Sequence, residues 1–250
     1  MRHPFASKFN DSIECLMIMP EPSPKHRVLA GLAGVARALG NEHRLEIIEH
    51  LAQGERSVEA LAAMVGLPVA NASQHLQQLR RGGVVVARRE GRQIVYRLAD
   101  GPVVGAVSLL RQIAELNLAE VRTVVSDYYS NMDALEPVTN DELLLRLQSG
   151  TAMLLDVRPQ AEFDAGHIPG ALNLPLATLE ARIAEIGRER EIVAYCRGPY
   201  CILSFEAVRL LRGKGYRVRR LDLGFPEWRA EGRPIETGST DSDPSRGGPG

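Results

Sequence analysis

Apolar residues recur at helical spacing four times in succession in the first half of the chain. The first run begins at Val28, Asn41 and Ser57 can cap the second and third helices, and the fourth helix spans Val69 to Arg81. Each run is stopped by a glycine, in chain order Gly40, Gly54, Gly66 and Gly82. The sequence therefore predicts four short helices with sharp ends.

A hairpin and a long helix are predicted next. Val84 to Arg88 and Gln93 to Leu98 have the pattern of two strands, joined by a turn at residues 89–92. Pro102 suits the first turn of a helix that runs to about Asn131. Such an apolar helix at the edge of a small domain needs a cover, and we expect that cover to be the same helix of a second subunit, which makes a homodimer. Its apolar positions are Leu109, Leu110, Ile113, Leu116, Val121, Val124 and Val125.

The fourth helix and the hairpin carry groups suited to DNA. The helix has a run of amide and hydroxyl side chains without an acid, and such groups hydrogen-bond base edges and phosphates in a major groove. The whole chain has a net charge of −1, but the stretch from Leu79 to Arg97 holds six arginines and one glutamate, which favours phosphate. The predicted DNA-binding residues are Ser57, Asn71, Ser73, Gln74, His75, Gln77, Gln78, Arg81, Arg88, Arg89 and Arg92.

Strand and helix signals alternate after a predicted domain boundary at residues 131–137. Strands are expected at Ala152 to Val157, Ile192 to Tyr195 and Arg217 to Leu223, and Ile183 is expected in a helix. This alternation favours an α/β domain with a mostly parallel sheet, whose ligand sites lie at the carboxyl ends of the strands.

Cys196 stands at such a strand end. The loop that follows it leads into a helix, so backbone N–H groups and the helix dipole can stabilise an anion there, including a thiolate or a persulfide. Cys196 is the candidate catalytic residue, and its loop comprises Arg197, Gly198, Pro199, Tyr200 and Cys201.

Composition bounds the setting of the protein. The chain has 250 residues and 44% hydrophobic residues, enough for two folded domains. Three cysteines are too few for a disulfide framework, which favours a reducing cytoplasm. The apolar run Cys15 to Met19 is far shorter than the roughly 20 residues of a membrane span, so no membrane association is expected. We expect an irregular arm at residues 1–25, domains at 26–131 and 137–236, and a disordered tail at 237–250.

The segment from about Arg27 to Ser130 resembles the ArsR family of dimeric bacterial repressors. Its most specific piece is Ser73-Gln74-His75-Leu76 followed by Leu79-Arg80. The resemblance implies a mainly α winged helix-turn-helix domain that binds operator DNA. Family members often bind metal through cysteines in the third helix or His and Asp groups on the last one. Here the third helix has no cysteine and the last has no histidine, so no metal site and no cofactor are expected.

The second half resembles the rhodanese family over about Val138 to Ile235. The motifs are LLDVRPQAEF at 154–163, GHIPGALNLP at 166–175, CRGPYC at 196–201 and GFPEW at 224–228. The resemblance implies that Cys196 accepts a sulfane sulfur as a persulfide, with Asp156 and Arg158 supporting the loop. Active members often place a second basic group late in the loop, where this chain has Tyr200 and Cys201.

Three hypotheses follow. The leading one is a DNA-binding transcriptional regulator, a repressor whose rhodanese-like domain senses a small sulfur species (persulfide, polysulfide or thiosulfate) at Cys196. A disulfide or polysulfide bridge between Cys196 and Cys201 would suit such a switch. The alternative is an active sulfurtransferase with a DNA-binding regulatory half. The third is a repressor that responds to arsenite or another oxyanion through the two thiols.

Overall fold

The computed structural model describes residues 23–130 and 137–238, apart from the side chain of Ser130. The predicted N-terminal arm up to residue 22, the linker at residues 131–136 and the tail from residue 239 lie outside the described residues.

The first domain begins with helices whose starts follow the predicted caps. Side-chain oxygens of Asn41 and Ser57 accept hydrogen bonds from the backbone N–H groups of Arg44 and Ala60. The first helix begins at Pro24, earlier than expected, because Ser23 caps it and proline suits the first turn. The elements are α1 (Pro24–Leu39), α2 (Glu42–Ala52), β1 (Arg56–Ser57), α3 (Val58–Met64), α4 (Val69–Arg81), β2 (Val85–Glu90), β3 (Gln93–Leu98), α5 (Val103–Asn117) and α6 (Ala119–Val124), with a π-helical turn at Val125–Ser130.

The strands form a small antiparallel sheet in the order β1-β3-β2 beside the helices. The hairpin turn is tighter than predicted: β2 extends to Glu90, and Gly91 (φ +59°) and Arg92 make the turn. The hydrophobic core of this domain contains Ile47, Ile48, Leu51, Leu61, Leu76, Leu79 and Tyr96.

The prediction of a single long helix from Pro102 to about Asn131 is wrong. The helix breaks at Leu118, whose backbone is extended (φ −103°, ψ 112°). Arg122 compensates by donating a 2.6 Å hydrogen bond to the carbonyl oxygen of Leu116, which the break leaves without a helical partner. Neither proline nor glycine stands at the break, so the sequence carries no local signal for it.

The second domain is an α/β unit with four parallel strands in the order β5-β4-β6-β7, which confirms the predicted class. Its last strand is shorter than the predicted 217–223, and Ile183 lies in a 3-10 turn (Ile183–Glu185) rather than an α-helix. The elements are α7 (Asn140–Gln148), β4 (Ala152–Asp156), α8 (Gln160–Ala165), β5 (Leu172–Asn173), α9 (Leu176–Leu179), β6 (Glu191–Tyr195), α10 (Ile202–Gly213), β7 (Val218–Arg220) and α11 (Phe225–Ala230).

Helices cover both faces of this sheet. Alternate residues of the central strands point to opposite faces, so Leu155 and Ala194 pack with α9 and α10, whereas Leu154 and Val193 pack with α7, α8 and α11. Cys196 belongs to the first of these clusters. Burial on both faces makes the sheet a rigid platform for the loop at its carboxyl edge. Among the described helices, none is long and apolar enough to cross a membrane.

Candidate functional site

The candidate DNA-binding surface is the outer side of α4. Ala72, Leu76 and Leu79 are fully buried against the core, and this fixes which side chains face outward. The predicted DNA-binding residues Asn71, Gln74, Gln77, Gln78 and Arg81 are exposed, and Ser73 and His75 are half-buried. The structure thus gathers the predicted groups on one helix face.

Two of the predicted DNA-binding residues on α4, Gln78 and His75, contact side chains of α2. Arg44 donates a 2.7 Å hydrogen bond to Oε1 of Gln78, and it also donates to the carbonyl oxygens of Ala38 and Arg37 at the end of α1. The His75 ring lies 5.6 Å from the His43 ring, and burial, followed by the charge of Arg44, lowers the pKa of His75. Both side chains therefore have structural partners as well as a place on the surface.

The β2–β3 hairpin is the wing of this domain, and its arginines differ in whether they are paired or exposed. Arg88 pairs with Glu55 at 2.7 Å and with Glu90 at 2.9 Å, whereas Arg92 is exposed at the tip of the hairpin. Arg89 donates a 3.2 Å hydrogen bond to the Gly91 carbonyl oxygen. Ser57, also predicted to bind DNA, uses its hydroxyl to cap α3.

Cys196 lies at the carboxyl end of β6 and is 1% exposed. Its carbonyl oxygen accepts a 3.1 Å hydrogen bond from the Phe225 N–H. The loop turns through a hydrogen bond from the Cys201 N–H to the Gly198 carbonyl oxygen, and α10 begins directly after Cys201. Cys196 and Cys201 form a disulfide with Cα atoms 6.3 Å apart. The two sulfurs that the sequence singles out are therefore direct partners.

Several charged side chains lie in or beside the cysteine loop. Arg197 makes a two-pronged ion pair with Glu162, at 2.6 to 3.1 Å. Glu227 accepts a hydrogen bond from the Gly224 N–H beside the loop, and burial raises the pKa of its carboxyl. Arg220 reaches the Pro199 carbonyl oxygen at 3.4 Å. Arg197 is thus committed to a carboxylate, whereas Arg220 donates to the carbonyl oxygens of Pro199 and Leu221.

Asp156 and Arg158, predicted to support the loop, form a fully buried pair beneath it. Arg158 donates to both carboxylate oxygens of Asp156 at 2.6 to 3.1 Å and to the Gly166 carbonyl oxygen. Burial is the largest influence and lowers the pKa of Arg158, but Asp156 together with Tyr195 and Glu162 outweighs it, so the pKa is raised. Neither side chain hydrogen-bonds to residues 197–200; their link to the loop passes through Gln53.

The first domain contributes residues to the loop that the sequence does not reveal. Gln53, which follows α2, accepts from Arg158 and donates to the Arg197 carbonyl oxygen. The Tyr200 hydroxyl donates to the carboxylate of Glu115 on α5, and the Tyr129 ring lies 5.0 Å from the Tyr200 ring. These partners are far apart in the chain and have no motif, so only the tertiary structure identifies them. Within residues 23–130 and 137–238, no three His, Cys, Asp or Glu side chains cluster closely enough to hold a metal ion.

Comparisons with known proteins agree with this division. A helix-turn-helix domain model matches residues 39–88, and a rhodanese-like domain model matches residues 139–231. The HTH-type transcriptional regulator Rv0324 of Mycobacterium tuberculosis is 45% identical over 215 residues, which cover 86% of this chain and 94% of that protein. A sulfurtransferase of Allochromatium vinosum is 39% identical over 84 residues, 33% of this chain and 77% of that protein.

A solved structure is similar to the first half. It is the homodimeric winged helix-turn-helix DNA-binding domain (fragment 1–100) of Mb0332 from Mycobacterium bovis, described as a possible ArsR-family transcriptional regulator. It is 41% identical and covers 40% of this chain and 93% of its own, with a TM-score of 0.37.

Proposed function

Since the chain belongs to the HTH-type transcriptional regulators, with an ArsR-type helix-turn-helix domain and a C-terminal rhodanese-like domain, we propose that it senses reactive sulfur at Cys196. In this proposal the reduced protein binds operator DNA in the cytoplasm, and sulfur addition at Cys196 releases it. The single observation that carries the proposal is the direct pairing of Cys196 with Cys201 inside the rhodanese-like loop of a DNA-binding chain.

The proposed chemistry uses polysulfide as the oxidant. The Cys196 thiolate attacks a sulfane sulfur of hydropolysulfide, which forms Cys196–S–S⁻ and expels a hydropolysulfide one sulfur shorter. The Cys201 thiol then attacks Sγ of Cys196. The new Cys196–Cys201 disulfide forms, the S–S bond of the persulfide breaks, and hydrosulfide leaves with the thiol proton.

The surroundings of the loop favour a sensor over a fast transferase. Thiosulfate is a dianion, and its binding is helped by basic groups that face the loop. Here the guanidinium of Arg197 is committed to Glu162, and Tyr200, at a position where active members often have a cation, donates its hydroxyl to Glu115. A persulfide anion carries one negative charge and needs less positive charge than the thiosulfate dianion. The N–H groups of the loop and the start of α10 supply that charge.

A second copy of the chain completes the DNA-binding half in this proposal. Two helices expose apolar side chains that nothing covers within the described residues: Val28, Leu29 and Leu32 on α1, and Leu109, Leu110, Ile113 and Leu116 on α5. Apolar stripes of this kind favour association, and a two-fold dimer presents two copies of α4 to successive turns of DNA.

The proposal is tested by DNA binding and mass spectrometry on one sample. The probe is a duplex selected from a random-sequence pool by repeated binding to the reduced full-length protein. Treatment with polysulfide should release the duplex from the wild type and leave it bound to Cys196→Ser. Cys201→Ser should accumulate a persulfide on Cys196, seen as a mass increase of about 32 Da, the mass of one sulfur atom. Release of DNA from Cys196→Ser to the same extent as from the wild type would overturn the proposal.

A sulfurtransferase is the second candidate, and the match to the Allochromatium vinosum protein favours it. Its reaction would move one sulfur from thiosulfate to Cys196, release sulfite, and then pass the sulfur to cyanide as thiocyanate. Many turnovers per chain, lost in Cys196→Ser, would support the enzyme, whereas at most one sulfur bound per chain would support the sensor. The third hypothesis, a repressor that responds to arsenite through its two thiols, is tested by adding arsenite in the DNA-release assay. It predicts that arsenite releases the duplex without polysulfide.

A further inference from the structure

Gln53 joins the two domains at the cysteine loop. It follows the last residue of α2 and is only 2% exposed. Its Oε1 accepts a 3.0 Å hydrogen bond from Arg158, and its Nε2 donates a 3.4 Å hydrogen bond to the carbonyl oxygen of Arg197, the residue next to Cys196. A buried amide bonded at both ends is sensitive to movement of either partner, because a broken bond leaves a desolvated polar group.

We propose that Gln53 is a positioning residue that couples the sulfur state of Cys196 to the DNA-binding surface. This inference rests on the proposed function, whose sensing site it links to its output.

A second contact fixes the same helix end. Arg229 of α11 donates a 2.6 Å hydrogen bond to the carbonyl oxygen of Ala52. The last carbonyl groups of a helix carry partial negative charge and have no partner inside the helix, so a guanidinium binds them favourably. The C-terminal end of α2 is thus held by Arg229 directly and by Arg158 through Gln53.

Residues along the rest of α2 contact α4. Arg44 in the first turn of α2 donates to Gln78 of α4, and Ile47, Ile48 and Leu51 pack in one core with Leu76 and Leu79. An 11-residue helix is rigid and about 16 Å long. A displacement of its C-terminal end therefore moves the groups that position α4.

The state of the loop reaches Gln53 through the Arg197 peptide. Residues 197–200 connect the two sulfurs, and Gly198, the second of them, has no side chain to restrain the backbone. A disulfide, a persulfide and a longer polysulfide bridge require different separations between Cys196 and Cys201. Conversion between these states changes the path of the loop and so the place of the Arg197 carbonyl oxygen.

The test measures coupling in the full-length protein, as the ratio of Kd for the selected duplex after and before polysulfide treatment. Gln53→Glu keeps the acceptor for Arg158 and removes the donor to Arg197, and Gln53→Leu removes both. We expect both variants to lower this ratio at least about fivefold relative to the wild type, the lower end of usual allosteric couplings. Mass spectrometry should show unchanged modification of Cys196. Gln148→Glu, a change at the exposed end of α7, is the matched control and should keep the wild-type ratio.

Retention of the wild-type ratio by a folded Gln53 variant with modified Cys196 would overturn the inference. A wild type that is modified yet keeps its DNA would contradict the proposed function instead. Coupling is then decided by the reciprocal equilibrium measurement, the reduction potential of the Cys196–Cys201 disulfide with and without the duplex. A DNA effect present in the wild type and absent in Gln53→Glu supports the role of Gln53, and no DNA effect in the wild type rejects it.

Discussion

Gly224 lies directly against the backbone of Gly198, so that a Cβ atom added to Gly224 would overlap the Arg197–Gly198 peptide. The start of α11 and the cysteine loop can approach this closely only because Gly224 has no side chain. The same approach lets the Phe225 N–H reach the Cys196 carbonyl oxygen.

Gly224→Ala should therefore destabilise the second domain by about 1–3 kcal/mol, because the backbone must shift to relieve the overlap. Gly198→Ala is the control, since a Cβ there would meet Glu227 only at an ordinary contact distance of 3.6 Å. Thermal unfolding of the two variants and the wild type measures the difference. Equal stability of Gly224→Ala and Gly198→Ala would show that this close approach is not a constraint.

The two wing arginines Arg88 and Arg92 should differ in their contribution to DNA binding. Arg92 is exposed at the hairpin tip, whereas Arg88 is paired with Glu55 and Glu90. Each phosphate contact contributes about 0.9 to the slope of log K against log salt. Arg92→Gln should lower this slope by about that amount per subunit, and Arg88→Gln should lower it less. Titrations at several salt concentrations measure both slopes, and an equal loss would contradict the pairing argument.

The sequence predicts the architecture well where short-range rules decide it. Asn41 and Ser57 cap helices as expected, because capping needs only a side-chain oxygen next to free N–H groups. Cys196 is placed at a parallel strand end because an apolar run precedes it directly. The alternation of elements likewise indicates the second domain's parallel sheet.

Long-range contacts escape the sequence for a physical reason. Gln53 and Arg197 are 144 positions apart, and a single glutamine has no pattern that announces a partner. The break at Leu118 has no proline or glycine, and Arg122 offsets part of its cost from four residues away. The hydrogen bond from Arg44 to Gln78 also depends on how α2 packs against α4, and the spacing of apolar residues in the sequence does not specify that packing.

The junction of the two domains should be more stable in mild acid. Burial raises the pKa of Glu227, and burial followed by the Glu227 charge raises the pKa of Glu49 on α2. A raised pKa means that the folded protein holds the proton more tightly than the unfolded chain. The stabilisation is therefore full below the ordinary glutamate pKa and is lost as pH rises through the raised values.

Glu227→Gln should remove part of this loss, so its stability should fall less than that of the wild type between about pH 4.5 and neutral pH. Glutamine keeps an oxygen that can accept from the Gly224 N–H. Urea unfolding across this pH range measures the effect, with Glu59→Gln on exposed α3 surface as the control. Parallel stability curves for Glu227→Gln and the wild type would contradict the assignment.

The apolar face of α5 gives a prediction about assembly. Ile113 and Leu116 are 58% and 72% exposed, and in a dimer they would be covered by a second copy. A carboxylate placed there would be desolvated without a partner, so Ile113→Glu should give a monomer with at least tenfold weaker binding to a two-site duplex, about 1.4 kcal/mol or more. Leu145→Glu changes a side chain on α7 that is 68% exposed and should leave the mass and the affinity unchanged. Sedimentation velocity on the three proteins measures the mass. A dimer that survives in Ile113→Glu would place the interface elsewhere.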